Sequence, residues 1–255
     1  MRRIIGFLLA LCSYYSLVAP VRMSLQPVVL KISKHMNLID GGIRANQILK
    51  AKCIVQLIVP AVNITWTIDG KPVEKRFLKS VVNTNELRNG HLITMSSQEI
   101  NLYLTEVENG KKLICHASHP ALTTPQRCVL PLNVKFAPQE HPRIFIEKLP
   151  RSGSFVVNIT INANPQPVTR WTVNGRLIKE GESVDMYRAY VPQATLKAGE
   201  YIVLLKNIDC KAERATLFVL EATNILGTQK YVVQAEWTNN DVANIEDERM
   251  EDGRY

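Results

Sequence analysis

Residues 66–71 read Trp-Thr-Ile-Asp-Gly-Lys and residues 171–176 read Trp-Thr-Val-Asn-Gly-Arg, an offset of 105 residues. Asp-Gly and Asn-Gly suit a two-residue hairpin turn, because both accept positive φ. Each tryptophan therefore sits on a strand that leads into a tight turn, and the repetition predicts two copies of one fold. A chain of 255 residues has room for two domains of about 100 residues, each with its own core. The copies are expected at residues 25–137 and 139–238, with the boundary near Phe136-Ala137-Pro138.

Outward from the tryptophans the chain reads as strands. Leu49, Ala51, Cys53 and Val55 alternate with outward-facing residues, as do Phe155, Val157, Ile159 and Ile161. The stretches 130–136 and 217–233 are rich in Val, Leu, Tyr and Phe, and Gly, Pro, Asn and Asp punctuate the runs at short intervals. No amphipathic helical stretch of useful length interrupts them, so the fold class is all-β. Cys53 precedes Trp66 by 13 residues and Cys115 follows it by 49. A cysteine, a tryptophan about a dozen residues on, and a second cysteine beyond resemble the immunoglobulin pattern, in which a bridge joins two sheets beside a buried tryptophan. The expected architecture is two tandem immunoglobulin-like β-sandwiches, with Cys53 paired to Cys115 against Trp66.

The second copy departs from this pattern. The same spacing from Trp171 reaches Ile161 and Leu220 in place of cysteines. Losing such a bridge costs about 2–5 kcal/mol, and burying two aliphatic side chains at roughly 1.5–3 kcal/mol each offsets much of it. Two residues before the second bridge position, where immunoglobulin domains carry a tyrosine, stand Leu113 and Phe218. Cys128 and Cys210 are not expected to pair with each other. In sandwiches stacked end to end they would lie far beyond the ~7 Å Cα separation a disulfide tolerates. Each is read as a free thiol or a contact to another chain.

Arg2-Arg3 followed by the apolar run Ile4–Cys12 has the form of a secretory signal, assigned to residues 1–20, and the run is too short to span a bilayer. No later segment is long and apolar enough to serve as a transmembrane span. Export also supplies the oxidising compartment a disulfide needs. The net charge of +8 is uneven: residues 241–255 carry six acids against two arginines, an acidic tail expected to be disordered over residues 239–255. In the remaining body the lysines and arginines are scattered, which argues against a nucleic-acid partner. The densest cluster, Lys71, Lys75, Arg76 and Lys79, is a solvated face or a site for a polyanionic glycan. Two sequons, at Asn63 and Asn158, mark glycosylation sites, and strand alternation turns Asn158 outward.

Catalytic motifs are missing: there is no GxGxxG, P-loop, GxSxG or HExxH. His116 and His119 stand beside Cys115, but zinc needs three or four convergent ligands and Cys115 is committed to the bridge. Glu106 and Glu108 fall in an ordinary polar loop. The chain is therefore expected to be no enzyme, with no cofactor, no metal and no small-molecule substrate.

Three runs carry a closer resemblance: Val157–Pro167, Trp171–Gly175 and Tyr187–Gln193 resemble the third immunoglobulin domain of the insect fasciclin III family, apolar bridge positions included. Asn63–Asp69, Lys112–Cys115 and Asn133–Pro138 are similar to the second domain of that family. The resemblance implies adhesion and recognition between neuronal or epithelial cells, with homophilic binding as the usual mode. The family has a further immunoglobulin domain in front, a transmembrane helix and a cytoplasmic tail, which this sequence does not display. The expectation is thus a secreted extracellular protein, a soluble paralogue or splice form, or an incomplete product of a membrane-anchored one. Its partners would be cell-surface proteins, either itself or a fasciclin III-like protein. The alternative functions are a secreted ligand or decoy for an immunoglobulin-family receptor and, more remotely, a metal-binding or enzymatic protein. Without the avidity of an anchored array, the chain alone is expected to be monomeric or weakly dimeric.

Overall fold

The structure is a computed structural model that describes residues 10–11, 29–32, 38–39, 41–58, 61–88, 91–120, 122–140, 145–150, 154–207 and 217–238. Of the expected signal segment, only Ala10–Leu11 is among them, as a short strand paired with Val29 and Leu30. Cys210 and the acidic tail lie outside the described residues. The chain divides into two units, residues 1–135 and 136–255.

In the first unit the principal strands are β1 (Val29–Ile32), β2 (Gln47–Ile58), β3 (Asn63–Ile68), β4 (Val82–Arg88), β5 (His91–Leu104), β6 (Lys112–Ser118) and β7 (Gln126–Pro131). One sheet runs β1-β2-β5-β4, and the sheet facing it runs β7-β6-β3 and ends on the two-residue strand Lys71–Pro72. Period-two alternation puts Leu49, Ala51, Cys53 and Val55 of β2 inside, opposite Leu113, Cys115 and Ala117 of β6. Cys53 and Cys115 are bridged, with a Cα separation of 6.4 Å. Trp66 is the cross-strand partner of Cys115, and its indole N–H donates to Gln98 Oε1 at 3.1 Å. Val134–Lys135 closes the unit in parallel against Gly42–Arg44.

The second unit contains β8 (Phe145–Pro150), β9 (Val156–Asn162), β10 (Val168–Val173), β11 (Arg176–Lys179), β12 (Tyr187–Ala189), β13 (Glu200–Asn207), β14 (Leu217–Asn224) and β15 (Gly227–Thr238). One sheet runs β8-β15-β14-β10-β11, with β8 parallel to β15, and the other runs β9-β13-β12. Trp171 pairs across with Leu220, the register that Trp66 keeps with Cys115. Ile161 and Leu220 are both buried in the core beside Trp171. Phe155 meets Tyr187, Phe218 and Trp237 edge-on at 5.3–6.3 Å, and such pairs add about 0.5–1.5 kcal/mol each beyond their burial.

Both repeated turns take the form their dipeptides require, with positive φ at Asp69 (46°), Gly70 (79°), Asn174 (47°) and Gly175 (75°). Leu113 and Phe218, standing where a tyrosine is usual, are fully buried. The second unit obtains a hydroxyl tie elsewhere: Tyr231 donates to the Gln139 carbonyl at 2.7 Å. Three sequence expectations change in detail. Glu106 and Glu108 form a 3-10 turn rather than a plain loop, because the Thr105 N–H and hydroxyl both donate to the Glu108 carboxylate. Cys128 is read from the sequence as a free thiol or a contact to another chain. It lies within β7 opposite Cys115 and is wholly buried, which removes it as a contact to another chain. Phe136, read as the end of the first copy, exchanges backbone hydrogen bonds with Asn164 and so enters with the second unit.

Candidate functional site

The core residues singled out in the sequence face inward and hold the sheets together, so any site must be built from outward-facing residues and loops. Strand alternation decides which these are. On the β7-β6-β3 face of the first unit stand Asn63 beside Ser118, then Thr65, His116 and Arg127 in one row. His116 Nε2 lies 2.9 Å from the Thr67 hydroxyl. His119 is buried, and Cys115 is held in the bridge, so these three do not converge. Among the described residues no group of three or more His, Cys, Asp or Glu is placed to hold a metal ion.

The sequon asparagines are both exposed. Asn63 opens β3, and Asn158 lies on β9, an edge strand, with its neighbours Val157 and Ile159 turned into the core. The two therefore mark different layers: the sheet carrying the repeated tryptophan strand in the first unit, and the sheet opposite that strand in the second.

The other outer faces are richer in exposed apolar groups. In the second unit, register aligns Leu177, Thr172, Val219 and Val232 in one row across β11, β10, β14 and β15. Beside it runs a charged row of Lys179, Arg170, Glu221 and Lys230. Arg170 pairs with Glu221, and Lys230 Nζ lies 3.5 Å from the same carboxylate. The Arg170 hydrogen bond is the main cause holding the Glu221 carboxyl below its ordinary range. In the first unit, the outer face of β2 and β5 presents Ile48 and Tyr103, then Lys50 and Asn101, then Lys52 and Glu99. Lys50 and Lys52 are neighbours on β2, whereas Asn101 and Glu99 come from β5, and no local motif announces their pairing.

The basic cluster seen in the sequence does not form one patch. Lys71 follows the Asp-Gly turn on the β3 sheet. Arg76 pairs with Glu74 at 2.8 Å and lies over the Phe77 ring, whereas Lys79 reaches Glu99 on the opposite sheet. A shallow depression lined by Arg188, Tyr190, Val191 and Pro192 has apolar walls and no paired acid and base. No helix among the described residues is long and apolar enough to cross a membrane. What this geometry offers is flat, mixed apolar and charged sheet faces, the kind of surface that binds other macromolecules.

Residues 31–126 match the family of CD80-like C2-set immunoglobulin domains. Along most of its length the chain is similar to Fasciclin-3 of Drosophila melanogaster, with 32% identity over 213 residues. That alignment covers 82% of this chain and 41% of the relative, so the chain spans less than half of that protein's length. Among solved structures, the ectodomain (Ig1–Ig3) of mouse nectin-like molecule 4 matches with TM-score 0.54 and 16% identity, over 86% of this chain and 66% of that one. Dpr2 Ig1–Ig2 in complex with DIP-Theta Ig1–Ig3 matches with TM-score 0.50 and 15% identity, over 84% and 66% respectively. At such identities these two structures speak to the fold alone.

Proposed function

We propose that the chain is an extracellular recognition protein acting in cell adhesion, a reading that rests on its match to CD80-like C2-set immunoglobulin domains and its similarity to Fasciclin-3. It works by presenting sheet faces and loops to other cell-surface proteins, and it performs no chemistry. The observation that carries this reading is the 213-residue similarity, which is longer than either unit and therefore involves both. The outward-facing rows of the second unit agree with it, since a partly exposed apolar row beside a row of charges suits a protein contact. Asn63 and Asn158 carry glycans in this reading, and the oxidising exterior maintains the bridge.

The partners are a fasciclin-3-like protein or a second copy of this chain. Purified, pre-clustered chain, applied to cells displaying the Drosophila Fasciclin-3 ectodomain or the chain itself, tests the proposal. Staining of either above undecorated cells supports it. Absence of staining on both, with glycosylated and bridged protein, contradicts it.

A further inference from the structure

From the outer face of β2 and β5, we infer that the first unit carries a binding site for a sulfated polysaccharide. The site is assembled by sheet register from separate segments. Lys50 and Lys52 lie two residues apart on β2 and so share a face, about 6.8 Å apart along the strand. Lys52 pairs across with Glu99 of β5, and Lys79 approaches the same glutamate from the sheet edge through its N–H to the Glu99 carbonyl. The two ammonium groups lie 3.5 and 2.8 Å from the Glu99 carboxylate. On the other side of Lys52, the register partner on β1 is Lys31. Two lysines thus flank one carboxylate on a solvent-facing surface, with Lys50 on the same face, and the excess of positive charge remains available to a ligand.

The surroundings select among polyanions. Lys50 stands opposite Asn101, an amide able to bond hydroxyl or sulfate oxygens, and the next row holds the half-exposed ring of Tyr103 opposite Ile48. An aromatic ring at the end of a polar, basic row suits the apolar face of a sugar. A protein partner fits less well, because the centres of protein interfaces are depleted in lysine and glutamate and need an apolar plug. Here the Lys50, Lys52, Lys79 and Glu99 group stands between the exposed Ile48 and Tyr103 on one side and Val82 and Met95 on the other, so the apolar residues form no continuous plug. A linear polyanion meets such a surface through charge and counterion release, with little shape complementarity. Neither sequon lies on this sheet, since Asn63 opens β3 of the opposite layer. The inference does not depend on the adhesive role proposed above.

Heparin is the probe, with hyaluronan, which carries carboxylates but no sulfate, as the comparison. The intact chain is expected to bind immobilised heparin at physiological salt, to release as salt rises, and to bind hyaluronan much more weakly. The triple variant Lys50→Ala, Lys52→Ala, Lys79→Ala is expected to lose affinity by about tenfold or more. Lys71→Ala with Lys75→Ala, outside the row, should leave affinity nearly unchanged. Glu99→Gln provides the opposite sign: removing the carboxylate frees two lysines and should raise affinity, a gain that misfolding would not produce. The proposal is overturned by absence of heparin binding, by equal binding of hyaluronan, or by a Glu99→Gln variant that binds no better. It is also overturned if the triple variant keeps heparin affinity but loses binding to the Fasciclin-3 ectodomain, which would make this face a protein contact.

Discussion

Asp69-Gly70 and Asn174-Gly175 hold positive φ at all four residues, and this conformation was readable from the dipeptides alone. A Cβ built on either glycine meets nothing within 4 Å, so the cost of a side chain there is purely one of backbone conformation. Gly70→Ala and Gly175→Ala are each expected to destabilise their own unit by about 1 kcal/mol, read as a shift in the urea midpoint. A second residue-scale prediction concerns Tyr231, whose burial pushes its hydroxyl up to about 12 from 10.0. The unfolded chain ionises this tyrosine first, so the stability it provides is complete below pH 10 and is lost as pH rises towards about 12. Tyr187 and Tyr201 shift in the same direction, again through burial. Melting temperature should therefore fall across that window, and Tyr231→Phe should make the fall shallower. An identical slope in the variant would remove Tyr231 from the account. The tie from Tyr231 to Gln139 was not legible in the sequence, because 92 residues separate the partners.

At the scale of elements, the two units keep one register around their tryptophans but lock it differently. The Cys53–Cys115 bridge joins β2 to β6, whereas Ile161, Leu220 and an aromatic group including Phe155 and Phe218 fill the second core. Reducing the bridge should cost the first unit about 2–5 kcal/mol and leave the second almost untouched. Two unfolding transitions followed by calorimetry, with and without reductant, check this, and an equal shift in both would contradict it. The alternation of β2 and β9 made the strand interiors legible. The parallel pairing of Val134–Lys135 with Gly42–Arg44 was not, since parallel neighbours are set by long-range packing and leave no local pattern. Edge position and outward direction also support glycans on Asn158 and Asn63. Peptide mapping after glycosidase treatment of protein from secreting cells should find both asparagines converted to aspartate. If both remain unmodified in exported protein, the assignment of these faces as glycan-bearing fails.

For the whole molecule, the sequence carried the fold through one repeated hexapeptide and one pair of cysteines, but it could not assemble surfaces. The Lys71–Lys79 cluster looked continuous along the chain, yet the structure sends Lys71 and Lys79 to different sheets. The face they suggested is formed instead by Lys50, Lys52 and Lys79. Binding is likewise unreadable in sequence, because faces of one sheet fold serve many partners. Avidity in a membrane array can multiply a weak contact by about two to four orders of magnitude, and a dissolved copy loses that gain. The most direct test is sedimentation velocity of the glycosylated chain at micromolar concentration, alone and mixed with the Drosophila Fasciclin-3 ectodomain. The account predicts a monomer or weak dimer alone and a faster-sedimenting complex in the mixture. Two species that sediment independently, with neither self-association nor a complex, would contradict recognition as the function of this protein.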